Sequence, residues 1–376
     1  MKALPSDSKT RVLNIVHGLG FGGIERYLLR LIQHMDSARW QMDVLCKGSR
    51  QGELLPEYER LGVRVLECRQ GYVDPLSWWR LRRVLVQGRY DVVADFTGDF
   101  AGVPLLLART AGVGKRIAWY RSASVHYRHG IRDLYARGAR WLVTRFGTDI
   151  LSNSVANLDA FHPRRNPVDS RFGVIANGLP VEQFEPDPTV RLAVRDELGL
   201  PEEAMLVGHV GRFRHAKNHE AIVAAAARVC RERDEVRFVL VGDGEGRSDI
   251  EQAIEQAGLG DRFILLGNRG DVPRILQGLD VFLFPSRFEG LPNALIEAML
   301  AGVPCVASNV ASVLEALPPE EHQFTAAPED AEALAELVVK RLLRPDPAGR
   351  HRLRQWCIER YSMENSLRLV CERMTC

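Results

Sequence analysis

The feature that most constrains this chain is an alternation of short apolar runs with amphipathic stretches, repeated along two separate series. Arg11–His17 (RVLNIVH) reads as a strand, and Gly23–Met35 places Tyr27, Leu28, Leu31 and Ile32 at helical spacing. Strand-like runs follow at Gln41–Cys46, Val63–Cys68, Asp91–Phe96, Arg116–Tyr120 and Asp149–Asn153, each succeeded by helix-like or loop sequence. A second series begins near Met205 with MLVGHVG, RFVLVG, FILLG, VFLFPS and PCVAS, separated by Ala-, Glu- and Leu-rich stretches. Strands alternating with helices make parallel βαβ units. Between the series, Asn177–Pro188 (NGLPVEQFEPDP) is rich in turn residues and proline, as a linker is. The expectation is an α/β protein of two facing Rossmann-like, doubly wound domains with a central cleft. Such sheets bind ligands outside the carboxyl ends of their strands.

A chain of 376 residues suits two domains better than one, and 46% apolar with 26% charged residues is globular composition. No apolar run approaches the length of a membrane span, and the start, MKALPSDSKTR, has no apolar signal core. The seven cysteines are scattered, without a CxxC pair or zinc spacing, which fits reduced thiols and a cytoplasmic location. Charge is unevenly spread: residues 1–180 hold 27 Lys and Arg against 16 Asp and Glu, and the rest hold 23 against 32. A basic first half suits an anionic partner. Lys115–Arg145 carries eight basic residues against Asp133 alone, interleaved with Tyr120, Tyr127, Tyr135, Trp141 and Leu142. Trp78 and Trp79 beside Arg80, Arg82 and Arg83 form a second such patch. Both read either as faces for anionic lipid, on the inner side of the cytoplasmic membrane, or as solvated basic helices packed by their aromatics. Nucleic acid is not expected, because no recognition motif accompanies the charge.

Gly18, Gly20 and Gly23 spell G-x-G-x-x-G between a strand and a helix, the dinucleotide fingerprint. That reading also needs an acidic residue closing the second strand, and QMDVLCK closes on Cys46 and Lys47. A hydride-transfer enzyme is therefore disfavoured. The glycines retain a use: Gly20, Gly22 and Gly23 let a ligand approach the backbone at a helix N-terminus.

The most informative stretch is FPSRFEGLPNALIEAMLAGVPCVAS, Phe284–Ser308. A buried strand enters the loop RFEGLPN and a helix opens near Asn293, with Glu289 before the helix and Glu297 inside it, seven residues between them. The helix N-terminus and loop amides suit a diphosphate, and the carboxylates suit sugar and ribose hydroxyls. In VGRFRHAKN, Val210–Asn218, Arg212 and Lys217 follow another strand of the same sheet. Two fixed cations there can neutralise the charge on a departing nucleotide diphosphate.

Together these segments resemble the retaining nucleotide-sugar glycosyltransferases of family 4, with the GT-B fold and its E-x7-E motif. GGIERYLLRLI resembles the family's GG-x-E helix, VIANGLPVEQF its domain junction, and GHVGRFRHAKNHEAIVAAAA its phosphate loop. RFVLVGDGEGR and FILLGNRGDVPRILQGLDVFLFPSRFEGLPNALIEAMLAGVPCVAS resemble the nucleotide and E-x7-E segments. The resemblance implies an acceptor-side domain over residues 1–176, a donor domain over 177–355, and a last helix, Trp356–Met374, crossing back to the first domain. It implies that Arg212 and Lys217 hold the diphosphate, Glu289 the donor sugar and Glu297 the ribose. The backbone of Gly290, Leu291, Pro292 and Asn293 would meet sugar and phosphates; Gly267 and Asn268, in the run to Asp271, would line the base. Gly22 and Gly23 would sit under the phosphates. The implied activity is transfer, with retention, to a glycan or lipid-linked acceptor in surface polysaccharide or lipopolysaccharide synthesis.

Two departures stand out. Where relatives carry a sugar-positioning His, this chain reads RIAWYRSASVHYRHG, so Arg121 and His126 are both acceptor-side candidates. Ala311-Ser312 replace the Gly pair expected before the last family Glu, here Glu315. No DxD pair occurs, and Asp243 and Glu245 in GDGEG are too few ligands for a hard cation, so neither metal nor other cofactor is expected. The alternatives are a sugar-nucleotide epimerase of similar fold, which would act without an acceptor, and a non-catalytic sugar-nucleotide binder.

Overall fold

The computed structural model describes residues 9–20, 22–71, 74–121, 131–201 and 203–375, with only the backbone of 131–133. It divides into two compact units, Met1–Gly178 with Glu364–Cys376, and Leu179–Met363. Each is built on one sheet, parallel throughout.

The first sheet holds β1 (Thr10–Val16), β2 (Trp40–Cys46), β3 (Arg64–Glu67), β4 (Val92–Asp95), β5 (Lys115–Tyr120), β6 (Asp149–Ser152) and β7 (Phe172–Val174), in the order 3-2-1-4-5-6-7. The second holds β8 (Met205–Val210), β9 (Val236–Val241), β10 (Phe263–Gly267), β11 (Val281–Phe284), β12 (Cys305–Ser308) and β13 (Thr325–Ala326), in the order 10-9-8-11-12-13. Both are Rossmann-like, as expected. The chain doubles back beside β1 and β4 in one sheet and beside β8 and β11 in the other, and ligands of such sheets bind at these switch points.

Burial explains why the strand runs are nearly continuous in apolar residues. Val12 and Val16 of β1 enter one core and Leu13 and Ile15 the other, because a parallel sheet is covered on both faces. All four residues of β11 are inaccessible to solvent. The short strands β7 and β13 were not expected, since three and two residues carry no readable period.

The carboxyl end differs from expectation. Instead of one helix over Trp356–Met374, there are two, Pro347–Tyr361 and Met363–Met374, broken at an extended Ser362. Leu179 causes the break: its N–H donates to Tyr361 O at 2.8 Å, and its carbonyl accepts from Met363 N at 3.0 Å. Only the second helix joins the first unit, where Val370 and Met374 enter the core. The first ends in the second unit, with Trp356 Nε1 donating to Ala316 O. Among the described residues no helix is long and apolar enough to cross a membrane. The described cysteines are unpaired, all buried except the partly exposed Cys371.

Candidate functional site

In the second unit the predicted cations and carboxylates converge at the carboxyl ends of β8 and β11. After β8 the chain makes a tight turn over His215–Lys217, and Asn218 then takes a left-handed conformation, φ 57°. Asn218 is buried, and its amide donates to Pro285 O at 3.0 Å and Pro328 O at 2.6 Å. Arg287 N donates to Ala216 O at 2.9 Å, so the two loops are tied by backbone and side chain alike. Lys217 Nζ consequently lies 2.7 Å from Glu289 Oε1 and 5.0 Å from the centre of the Phe284 ring. The pair is mostly shielded from water, where a charge-assisted bond is at its stronger end.

Arg212 is exposed on the same loop and has no ion pair among the described residues. Beside it the chain passes so closely that only glycine fits: a Cβ on Gly242, whose φ is +133°, would stand 2.1 Å from Gly211 O. Gly290, Leu291 and Pro292 are buried, and the helix Asn293–Leu300 carries the partly buried Glu297 one turn in. Gly267 closes β10 at φ +64°, and Asn268 is exposed after it. Arg269 then locks onto Asp271 at 2.8 Å, holding that carboxyl down to about 2. The predicted donor residues of this unit thus occupy the ends of β10, β8 and β11, which share one edge of the sheet with β9 between them.

Beneath the cations sit His209 and His219, 4.9 Å apart edge to face. Burial drives both pKa values down, that of His219 to about 4, and Lys217 presses in the same direction. Both rings are neutral, so the loop's positive charge rests on its Arg and Lys side chains, Arg212, Arg214 and Lys217.

In the first unit the glycine loop leads into the helix Gly23–His34. Gly22 N donates to Gly20 O at 2.7 Å, and Glu25 folds back so closely that a Cβ on Gly22 would strike its carboxylate. Burial raises the Glu25 pKa. A Cβ on Gly23 would meet nothing within 4 Å, so the backbone there is open to a ligand. Past this loop lies a cavity of about 590 Å³, lined among others by Ile24, Trp78, Phe96, Phe100, Val103 and Arg121. Part of its polar wall is already paired. Lys47 meets Asp95 at 2.7 Å, Thr97 Oγ1 at 2.6 Å and Phe100 O at 2.8 Å; Arg140 forks onto Asp99 at 2.9 and 2.6 Å. Arg121, an acceptor-side candidate, lines this cavity; His126, the other, lies outside the described residues.

The basic stretch of the first unit is only partly a surface. Arg116 turns inward to Phe146 O and Val113 O, and Arg121 and Arg140 serve the cavity. Among the described residues, Leu134, Arg137, Trp141 and Arg145 face water, with Trp141 62% exposed. The Trp pair also divides: Trp78 lines the cavity, whereas Trp79 is 57% exposed with Arg83 over its ring.

The sequence reading passed over Lys47 except as a missing acid, and passed over Asn218, Asp95 and Asp99 altogether. The signal for the last two is DFTGD at a strand's end, two acids where ligands bind. For Asn218 the signal is an Asn just before a helix, which tolerates the left-handed conformation.

Residues 190–358 match the family described as Glycosyl transferases group 1, and residues 22–178 match the Glycosyl transferase 4-like domain. Among curated proteins, the putative glycosyltransferase EpsF of Bacillus subtilis is 28% identical over 314 residues, 81% of this chain and 80% of the relative. The UDP-Gal:alpha-D-GlcNAc-diphosphoundecaprenol alpha-1,3-galactosyltransferase of Escherichia coli is 27% identical over 322 residues, 81% of this chain and 80% of its own. Among solved structures, Anabaena Alr3699/HepE in complex with UDP and glucose aligns with a TM-score of 0.79 at 22% identity, covering 96% of this chain and 98% of that one.

Proposed function

We propose donor, acceptor and residue roles from one premise: this chain belongs to the family 4 glycosyltransferases, GT-B enzymes that use nucleotide sugars and retain anomeric configuration. The epimerase alternative has no support among its relatives.

The donor is proposed to be a UDP-sugar. The E. coli relative uses a UDP-sugar, and a structure of the same fold was solved with UDP. Lys217 and Arg212 take the diphosphate, Glu289 anchors hydroxyls of the sugar, and Glu297 the ribose. Gly290–Asn293 present backbone to sugar and phosphates, Gly267 and Asn268 flank the base, and Gly22 and Gly23 offer open backbone in the first unit. As the bond from the anomeric carbon to the diphosphate oxygen breaks, the two cations stabilise the charge gathering on the phosphate. The acceptor hydroxyl attacks from the same face and gives its proton to the leaving phosphate oxygen. Two fixed cations supply what a metal otherwise supplies, so transfer is proposed to need none.

The acceptor is proposed to be a lipid-diphosphate-linked sugar, the class named for the E. coli relative. The helices carrying Trp79 and Trp141, each with basic neighbours, are proposed to rest on an anionic membrane. The observation that carries the donor reading is the Lys217–Glu289 pair at the switch point of the second sheet. The test is a melting-temperature panel of UDP-, GDP- and ADP-sugars, since a ligand of the folded state raises the melting temperature. UDP-sugars alone are expected to stabilise the protein, and a flat panel would refute the reading.

A further inference from the structure

Arg121 stands out among the partly buried charges of the first unit. Its guanidinium carbon lies 3.3 Å from the ring centre of Tyr27 and 4.5 Å from that of Trp119, with Phe96 at 6.0 Å. Phe96 and Trp119 themselves stack at 5.6 Å, so the cation is held in a wall of aromatic faces. It donates to Asn177 Oδ1, a neutral acceptor. Nε and Nη2 are closed off from water without a partner.

The contrast with the neighbouring cations is chemical. Lys47 has Asp95, and Arg140 has Asp99. Among the described residues Arg121 has no carboxylate partner: burial lowers its pKa to about 10, Tyr27 offsets this in part, and Arg30 adds to it. Glu25 lines the same cavity, but the charge that bears on it is that of His17. A guanidinium shielded from water without an anion is costly, and stacking on aromatic faces leaves its two idle donors unused. Its fork suits a planar or tetrahedral oxyanion bidentately.

We propose that Arg121 is a specificity-determining residue of the acceptor site, binding an oxyanion of the acceptor, phosphate or carboxylate, while the apolar wall of the cavity receives the part attached to it. Ile24, Phe96, Phe100, Val103 and Trp78 supply that wall. This rests on the reading of the first unit as the acceptor side. A lipid diphosphate and a uronic acid share the required chemistry.

The test titrates the full chain, saturated with UDP, with geranyl diphosphate, geraniol, glucuronate and glucose. Wild type is expected to bind one anion at least about tenfold more tightly than its neutral counterpart, the range for a hydrogen bond to a charged group. Arg121→Gln should remove that difference, and Arg121→Lys, which keeps the charge but loses the fork, should reduce it. Loss in the diphosphate arm identifies a lipid phosphate, and loss in the glucuronate arm an acidic sugar. Equal binding of anion and neutral by wild type overturns the proposal, and needs no variant to read. So does an Arg121→Gln protein that keeps the preference, or one whose UDP affinity falls as far as its anion affinity. A wild type that does not bind UDP would defeat the donor reading separately, leaving the anion comparison to be read without nucleotide.

Discussion

Lys217 Nζ and Glu289 Oε1 are 2.7 Å apart, although 72 residues separate them in the chain. One follows β8 and the other β11, and the strands are neighbours because the sheet order reverses there. The pair joins the group proposed for the leaving phosphate to the group proposed for the sugar.

Removing either partner should abolish transfer more than it unfolds the protein. Lys217→Ala is expected to lower kcat/KM by about a hundred- to a thousandfold, the range for losing one stabiliser of developing charge. Nucleotide affinity should fall with it. Glu289→Gln should lower kcat while UDP still binds. Stranding one charge of this mostly shielded pair should cost about 1–3 kcal/mol of stability, less than the loss in transfer. EDTA should leave wild-type rates unchanged. Initial rates, UDP titrations and melting curves check these expectations.

Gly242→Ala should be harmful despite adding one methyl group. At φ +133° the new Cβ meets Gly211 O at 2.1 Å, and that oxygen is backbone, unable to swing aside as a side-chain tip could. A loss of about 1–3 kcal/mol is expected, with weaker nucleotide binding because Arg212 follows Gly211 directly. Denaturant melts and UDP titration read both. Unchanged values would mean that the β8 and β9 loops separate easily.

Asn218→Ala tests the clamp between loops. It removes two donors from buried carbonyls of Pro285 and Pro328, and a left-handed conformation that Asn tolerates better than Ala. About 2–3 kcal/mol should be lost. Transfer should fall at temperatures where the fold persists, because Lys217 is the adjacent residue. An Asn218→Gly variant should recover the conformational share alone.

Stability should drop on mild acidification. His162 and His219 are held to about 4 by burial, and His209 lies well below its ordinary value for the same reason. Each is neutral when folded and takes a proton when unfolded below about 6.5. The unfolded chain therefore binds more protons, and stability present above about 6.5 is lost as pH falls toward 4. The slope is about 1.4 kcal/mol per pH unit for each group at most. Melting temperatures at pH 7, 6 and 5 should decline, and His219→Phe should decline less. A level profile above the carboxylate range would contradict this.

Trp79→Ser with Trp141→Ser should weaken sedimentation with anionic vesicles while UDP binding stays within about twofold. Each interfacial Trp contributes amphipathic contact, and the basic neighbours make the attraction salt-sensitive. Neutral vesicles should retain little of either protein. If anionic vesicles hold the double variant as well as wild type, the membrane face is wrong.

Much of the donor half was legible because its signals are local. Glu289 and Glu297 sit on one loop and the helix it opens, and the apolar run of β11 marks where that loop begins. The acceptor side was less legible. Lys47 and Asp95 lie on different strands and signify nothing apart, yet their ion pair is largely cut off from water. The basic segment from Lys115 to Arg145 read as one surface, but Arg116, Arg121 and Arg140 point inward. Charge along a chain does not say which way a side chain faces.

By itself the sequence determined the two series of βαβ units, the strands long enough to show their period, and the spacing of the E-x7-E pair. These follow from hydrophobic alternation and short-range turn chemistry, which act between residues near in the chain. Only tertiary structure decided that Lys217 meets Glu289, that Leu179 breaks the last helix at Ser362, and that Arg121 packs against Tyr27 with no acid partner among the described residues. Those outcomes depend on strand order and on what burial leaves unpaired, and neither is encoded in any single window of residues.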